Sequence, residues 1–111
     1  MAVTELTFLR QFCENDSTRI KKYVDIFLSS IPPTVQKIED AVSSKDWTQI
    51  ADQAHGLRTK CMLMGMKATQ DLSIKVEEEC RRNSITPALT ENIQILIDHL
   101  KQSEQELSSV G

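Results

Sequence analysis

The chain is poor in residues that interrupt helices, with 3 Gly and 3 Pro in 111 residues, and aromatics make up only 5% of it. That scarcity excludes collagen-like, low-complexity and loop-rich chains. Its three cysteines, Cys13, Cys61 and Cys80, are odd in number and far apart, with no C-x-x-C pair. Neither a disulfide framework nor a zinc knuckle is suggested, and no metal is expected. No apolar run approaches the ~20 residues that a membrane span needs. The start, MAVTELTFLRQFCEND, carries acids and lacks a basic segment followed by an apolar stretch, so it does not read as a signal peptide and a cytoplasmic address is expected. The net charge is -3 and the basic residues are scattered among acidic ones, which makes nucleic acid a poor partner. A glycine-rich phosphate loop and any nucleotide motif are missing, so no ATP-binding or hydrolytic site is expected.

What is present is helical periodicity. Apolar residues recur at steps of three and four throughout, and sustained alternation is absent. The pattern predicts one all-α domain spanning 1–111. A short first helix over roughly 4–13 would be capped by Thr4 and bury Leu6, Leu9, Phe12 and Cys13. After the break at ENDS, where Asp16 or Ser17 offers a cap, Ile20, Val24, Phe27, Ile31, Val35, Ile38 and Val42 keep one register straight through Pro32 and Pro33. A single long bent helix is expected there. A third helix over about 46–64 carries a seam of Trp47, Ile50, Ala54, Leu57, Cys61 and Met64, with Gly65 placed as a left-handed cap. A fourth, about 68–82, would bury Ala68, Leu72, Val76 and Cys80. A last one starts at Pro87 behind Thr86 and buries Leu89, Ile93, Leu96, Ile97 and Leu100. Four long helices joined by short loops predict an antiparallel four-helix bundle with a short extra N-terminal helix.

His55 lies about 130° from the centre of the third helix's seam and therefore faces solvent. Its neighbours one turn away are Ala51 and Asp52 before it, and Arg58 and Thr59 after it. Met62 and Met66 follow on the same face, although core-edge packing explains them as readily. No nucleophilic serine or cysteine and no orienting acid stands at recognisable spacing, so a hydrolytic role is poorly supported. An exposed imidazole is itself a good nucleophile near neutral pH, and Arg58 is placed to balance a phosphoryl charge.

These residues resemble the core of the histidine-containing phosphotransfer (HPt) domain of multistep phosphorelays, whose pattern is alanine-histidine, any residue, leucine-lysine-glycine, then five residues and a glycine. The segment reads AHGLRTKCMLMG. Ala54, His55, Leu57 and Gly65 match, Arg58 replaces lysine with its charge kept, and Thr59 departs from the usual glycine. The flanks YVDIFLSSIPPTVQKIEDAVSSKDW and LSIKVEEECRR are similar to the family's second and fourth helices. The resemblance implies a phosphoryl carrier rather than an enzyme: His55 takes phosphate from a receiver-domain aspartate and Arg58 stabilises it. Ala51, Thr59 and Met62 would form the docking surface. It further implies no resident cofactor, Mg²⁺ being supplied by the receivers. The expected partners are the receiver domains of a hybrid sensor kinase and of a response regulator, met by a monomer.

An HPt-like module that binds receivers without carrying phosphate is the alternative, raised by Thr59. A sensor-kinase dimerisation domain fits less well, since Gly56 rather than an acid follows the histidine and no proline comes a few positions on. An unrelated helical adaptor leaves the placement of His55 unexplained. His99 is expected to pack at a core boundary, and Glu77, Glu78 and Glu79 to form a solvated helix face.

Overall fold

The computed structural model describes residues 2–110, which form α1 (Thr7–Phe12), α2 (Ser17–Ser44), α3 (Trp47–Leu63), α4 (Lys67–Arg81) and α5 (Pro87–Leu107), with no strand among the described residues. Helices α2 to α5 close a ring, each packing on its chain neighbours and α2 also on α5. The expected all-α four-helix bundle with a short N-terminal helix is the fold observed, about 43 × 24 × 20 Å.

Capping chemistry explains where the long helices begin. The Asp16 carboxylate accepts the free amides of Thr18 and Arg19 at the start of α2, at 3.0 and 3.2 Å. Thr86 does the same for Leu89 at 3.1 Å, with Pro87 in the first turn, where a missing N–H costs nothing. Helix α2 runs unbroken through Pro32 and Pro33. Both prolines are exposed, so the carbonyls of Leu28 and Ser29, which lose their intrahelical donors, lie on a side that water reaches. The apolar register on the opposite side stays intact, with Phe27, Ile31, Val35 and Ile38 buried.

Three sequence expectations change. Thr4 caps nothing: its amide and hydroxyl both donate to Glu106 on α5, at 3.0 and 2.5 Å, joined by the Val3 amide at 2.9 Å. The first helix consequently starts only at Thr7, where Glu5 accepts from the Thr7 amide at 3.0 Å. Phe12 is not core but stands exposed, stacked on Phe8 and edge-on to Tyr23. On α4, Ala68 is exposed and Leu72 half-buried, while Thr69, Ser73 and Glu77 join Val76 and Cys80 in the buried face. Ser73 satisfies its buried hydroxyl on the Thr69 carbonyl at 2.9 Å, and the Thr69 hydroxyl meets His99 on α5.

Gly65 joins α3 to α4 with φ +65, the left-handed conformation anticipated for a cap. The position is crowded as well. The Glu5 amide donates to the Met64 carbonyl at 3.0 Å, and a Cβ on Gly65 would fall 1.7 Å from the Glu5 carbonyl oxygen.

Candidate functional site

The α3 seam of Ile50, Ala54, Leu57, Cys61 and Met64 is buried as expected, which turns His55 outward with 62% of its side chain exposed. The ring is not free to spin. Its Nδ1 lies 3.0 and 3.1 Å from the two carboxylate oxygens of Glu77 on α4. Glu77 is a correction to the reading of residues 77 to 79 as a solvated face, and to the absence of an orienting acid: only 12% of its side chain is exposed, whereas Glu78 is fully at the surface.

Glu77 is held from several sides. Arg81, one turn on along α4, donates Nε to it at 3.0 Å and reaches Asp52 on α3 with Nη2, also at 3.0 Å. Arg58 approaches it with Nη1 at a longer 3.4 Å. Burial pushes the Glu77 carboxyl up, but the hydrogen bonds from Arg81 and His55 and their positive charges outweigh it and leave it below the ordinary carboxylate range. Glu77 is thus an anionic acceptor, and in the neutral form of the ring Nδ1 donates to it while Nε2 keeps its lone pair.

Arg58, Thr59, Met62 and Gln70 line an open hollow of about 320 Å³ together with His55. Arg58 is half-buried, Thr59 exposed and Met62 43% exposed. Ala51, expected on the same surface, is fully buried. It flanks Ile50 and faces inward because α3 packs on both α2 and α4, so its buried face is wider than a single seam and reaches round to position 51. Met66 is likewise buried; it lies beyond α3 and opens α4. One residue round from Thr59 and Met62, Lys60 and Leu63 border a second, smaller apolar hollow with Tyr23, Ile26 and Phe27.

Other nucleophiles are poor. Burial pushes the Cys61 thiol up to about 12 and raises that of Cys80, so both stay protonated. His99 is half-buried, with Nδ1 2.9 Å from the Thr69 hydroxyl, a boundary position as expected. Among the described residues no group of three or more His, Cys, Asp or Glu is placed to hold a metal ion, and no helix is long and apolar enough to cross a membrane.

Sequence reasoning found His55, Arg58, Thr59 and Met62 and named Asp52 only as a neighbour of His55, but missed Glu77, Arg81 and Gln70. The spacing alone offers no choice among the glutamates, since Glu77–Arg81 and Glu78–Arg82 are both acid–base pairs one helical turn apart.

A family model described as Hpt domain matches residues 22–106, a span that contains α3 and α4 and with them His55, Arg58 and Glu77. No curated protein and no solved structure matches the chain.

Proposed function

The chain belongs to the Hpt domain family, which serves histidine phosphotransfer in phosphorelays, and from that premise we propose that His55 Nε2 is the atom that carries the phosphoryl group. The observation behind this reading is the Nδ1 contact to Glu77, which directs the lone pair of an exposed ring outward.

The step balances without a proton leaving the site. The Nε2 lone pair attacks the phosphorus of a receiver's aspartyl phosphate, the N–P bond forms, and the P–O bond breaks with its electrons going to the aspartate carboxylate. The ring keeps its Nδ1 proton and becomes a cationic phosphoimidazolium beside the Glu77 carboxylate, which is already in place to balance it. Reversal onto a second receiver regenerates the neutral ring. Arg58 is near enough to turn from its long contact with Glu77 to the phosphoryl oxygens.

The receivers bring Mg²⁺ and the charge-stabilising groups, and this chain splits no nucleotide. Thr59 and Met62, exposed one and two turns along α3 from His55, form the surface that receivers grip, without Ala51. The donor would be the receiver of a hybrid sensor kinase and the acceptor that of a response regulator, with this protein moving between them as a monomer.

The test mixes the purified protein with a receiver domain phosphorylated on its aspartate and asks for acid-labile, alkali-stable label. Label is expected on the wild type and on His55→Gln not at all, while that variant keeps its stability to within ~0.5 kcal/mol. His99→Gln should still be labelled. Label surviving His55→Gln overturns the assignment, and receiver binding without label on the wild type leaves a pure interaction module.

A further inference from the structure

The hollow beside His55 has two walls. On α3 stand Arg58, Thr59 and Met62; on α4 stands Gln70, half-buried, one turn and a little more from Ile74 and two turns from Glu77 on the same side of the helix. At about 320 Å³ the space is several times what one water occupies in the liquid, about 30 Å³, so it can take a phosphoryl group with part of its hydration.

The donors facing this space are not all committed. His55 Nδ1 is held by Glu77, and Arg58 spends only Nη1 on that carboxylate, at a distance where little is lost by letting go. The Thr59 hydroxyl and the Gln70 side-chain amide have no hydrogen-bond partner among the described residues. Two other glutamines, Gln36 and Gln94, are committed to Asp40 and Asp98 at 2.8 and 3.0 Å, whereas Gln70 keeps its amide available beside the hollow. Two neutral donors without partners thus border the same hollow as the His55 imidazole.

A phosphoryl group on Nε2 adds close to two negative charges and three strong acceptor oxygens. Arg58 alone cannot serve three oxygens arranged tetrahedrally, since its donors lie in one plane. A hydroxyl from the same helix and an amide from the facing helix supply the remaining directions. Neither carries a charge, so neither competes with His55 for Glu77 while the ring is unphosphorylated.

Resting on the phosphocarrier reading above, we propose that Gln70 is a phosphoryl-binding residue: with the Thr59 hydroxyl it completes the seat begun by Arg58 and shifts the transfer equilibrium from receiver aspartate toward the phosphohistidine. The threonine that stands one turn after His55, in place of open space, then serves to hold phosphate longer on the carrier.

The experiment incubates each protein to equilibrium with a receiver domain carrying labelled aspartyl phosphate and measures how the label divides. Gln70→Leu and Thr59→Val should each lower the equilibrium constant toward histidine about tenfold, the size of one hydrogen bond to a charged group at a water-accessible site. Thr59→Ser, which keeps the hydroxyl, should stay within about twofold of wild type. Gln70→Glu, which keeps the size but adds repulsion, should lose at least as much as the leucine variant. Affinity of the unphosphorylated Gln70 variants for the unphosphorylated receiver should be unchanged, Gln70 lying outside the surface that receivers grip. A Gln70→Leu partition within about twofold of wild type overturns the inference, as does a parallel loss of receiver affinity, which would make Gln70 a docking residue. Labelled wild type with unaltered variants sinks this proposal alone; an unlabelled wild type sinks the phosphocarrier reading with it.

Discussion

Glu77→Gln isolates charge from shape at the point where the site depends on it most. The amide is isosteric and keeps one oxygen able to accept from His55 Nδ1, so what is removed is the negative charge 3.0 Å from the ring. Two unit charges at that distance interact by about 1.4 kcal/mol at the dielectric of water and about 5.5 kcal/mol at an effective value of 20. Because 62% of the His55 side chain is exposed, the water limit weighs more, and a loss of about 1.5–2.5 kcal/mol is expected. That corresponds to roughly 10- to 60-fold in phosphoryl uptake from a phosphorylated receiver, since the ring becomes cationic as the N–P bond forms. The introduced amide can also flip and offer N–H to Nδ1, which would place the ring proton on Nε2 and block attack outright in that fraction of molecules. Uptake kinetics and ¹⁵N NMR of the His55 ring read the two effects separately. Uptake within about twofold of wild type, or a neutral wild-type ring protonated on Nε2, refutes the reasoning.

Of the three carboxyls held below their ordinary range, Glu5, Glu77 and Glu106, the last ties the chain's start to α5 and should give a stability that acid removes. Glu106 is pushed up by burial but pulled to about 2 by the Thr4 hydroxyl, the Val3 and Thr4 amides and Gln102. Its contribution is therefore fully present above the ordinary value of 4.5 and lost as pH falls from there through about 2. Glu106→Gln should cost about 1–2 kcal/mol at pH 7 in denaturant unfolding and flatten that acid dependence, with earlier hydrogen exchange at Val3 and Thr4. The two helix-associated glycines should respond in opposite directions to alanine. Gly65→Ala meets both the positive φ and the Glu5 carbonyl and should cost about 2 kcal/mol or more, whereas Gly56→Ala, with nothing within 4 Å in an exposed helix interior, should stabilise by about 0.5–1 kcal/mol in thermal unfolding. Ala51→Leu should destabilise by about 1–3 kcal/mol through overpacking, while a surface residue at that position would show normal stability and altered receiver affinity.

The fold was legible because burial in a bundle of this size is dominated by large apolar side chains at helical spacing. Ile20 to Val42 kept one register across two prolines, and the structure honours the register over the local penalty of proline, because both rings and the carbonyls they strand lie outward. The same logic failed on α4. There Thr69, Ser73 and Glu77 are buried, and a reading that ranks positions by hydropathy assigns the inward side to Ala68 and Leu72 instead. Thr4 failed for a related reason: its cap chemistry is local, and a carboxylate 102 residues away on α5 outbid it.

The site divides along the same line. His55, Arg58, Thr59 and Met62 lie within two turns of one helix, so a 3.6-residue period places them relative to one another with no knowledge of the rest of the chain. Glu77 and Gln70 reach the site across the α3–α4 groove, 22 and 15 residues from His55, and which of three consecutive glutamates faces inward is decided by how α4 is rotated. That rotation buries Thr69 and Ser73 beside Val76 and Cys80, and a sequence reading that follows apolar residues passes over the two polar positions. The charges then lock it: with Arg81 bridging Glu77 to Asp52, turning α4 by one residue would strand a carboxylate in the groove without its partners. The ion network thus orients the helix that carries the acid as well as the ring that the acid holds. Exchanging Asp52 and Arg81 for a neutral pair should consequently weaken phosphoryl uptake through His55 although neither residue touches the ring.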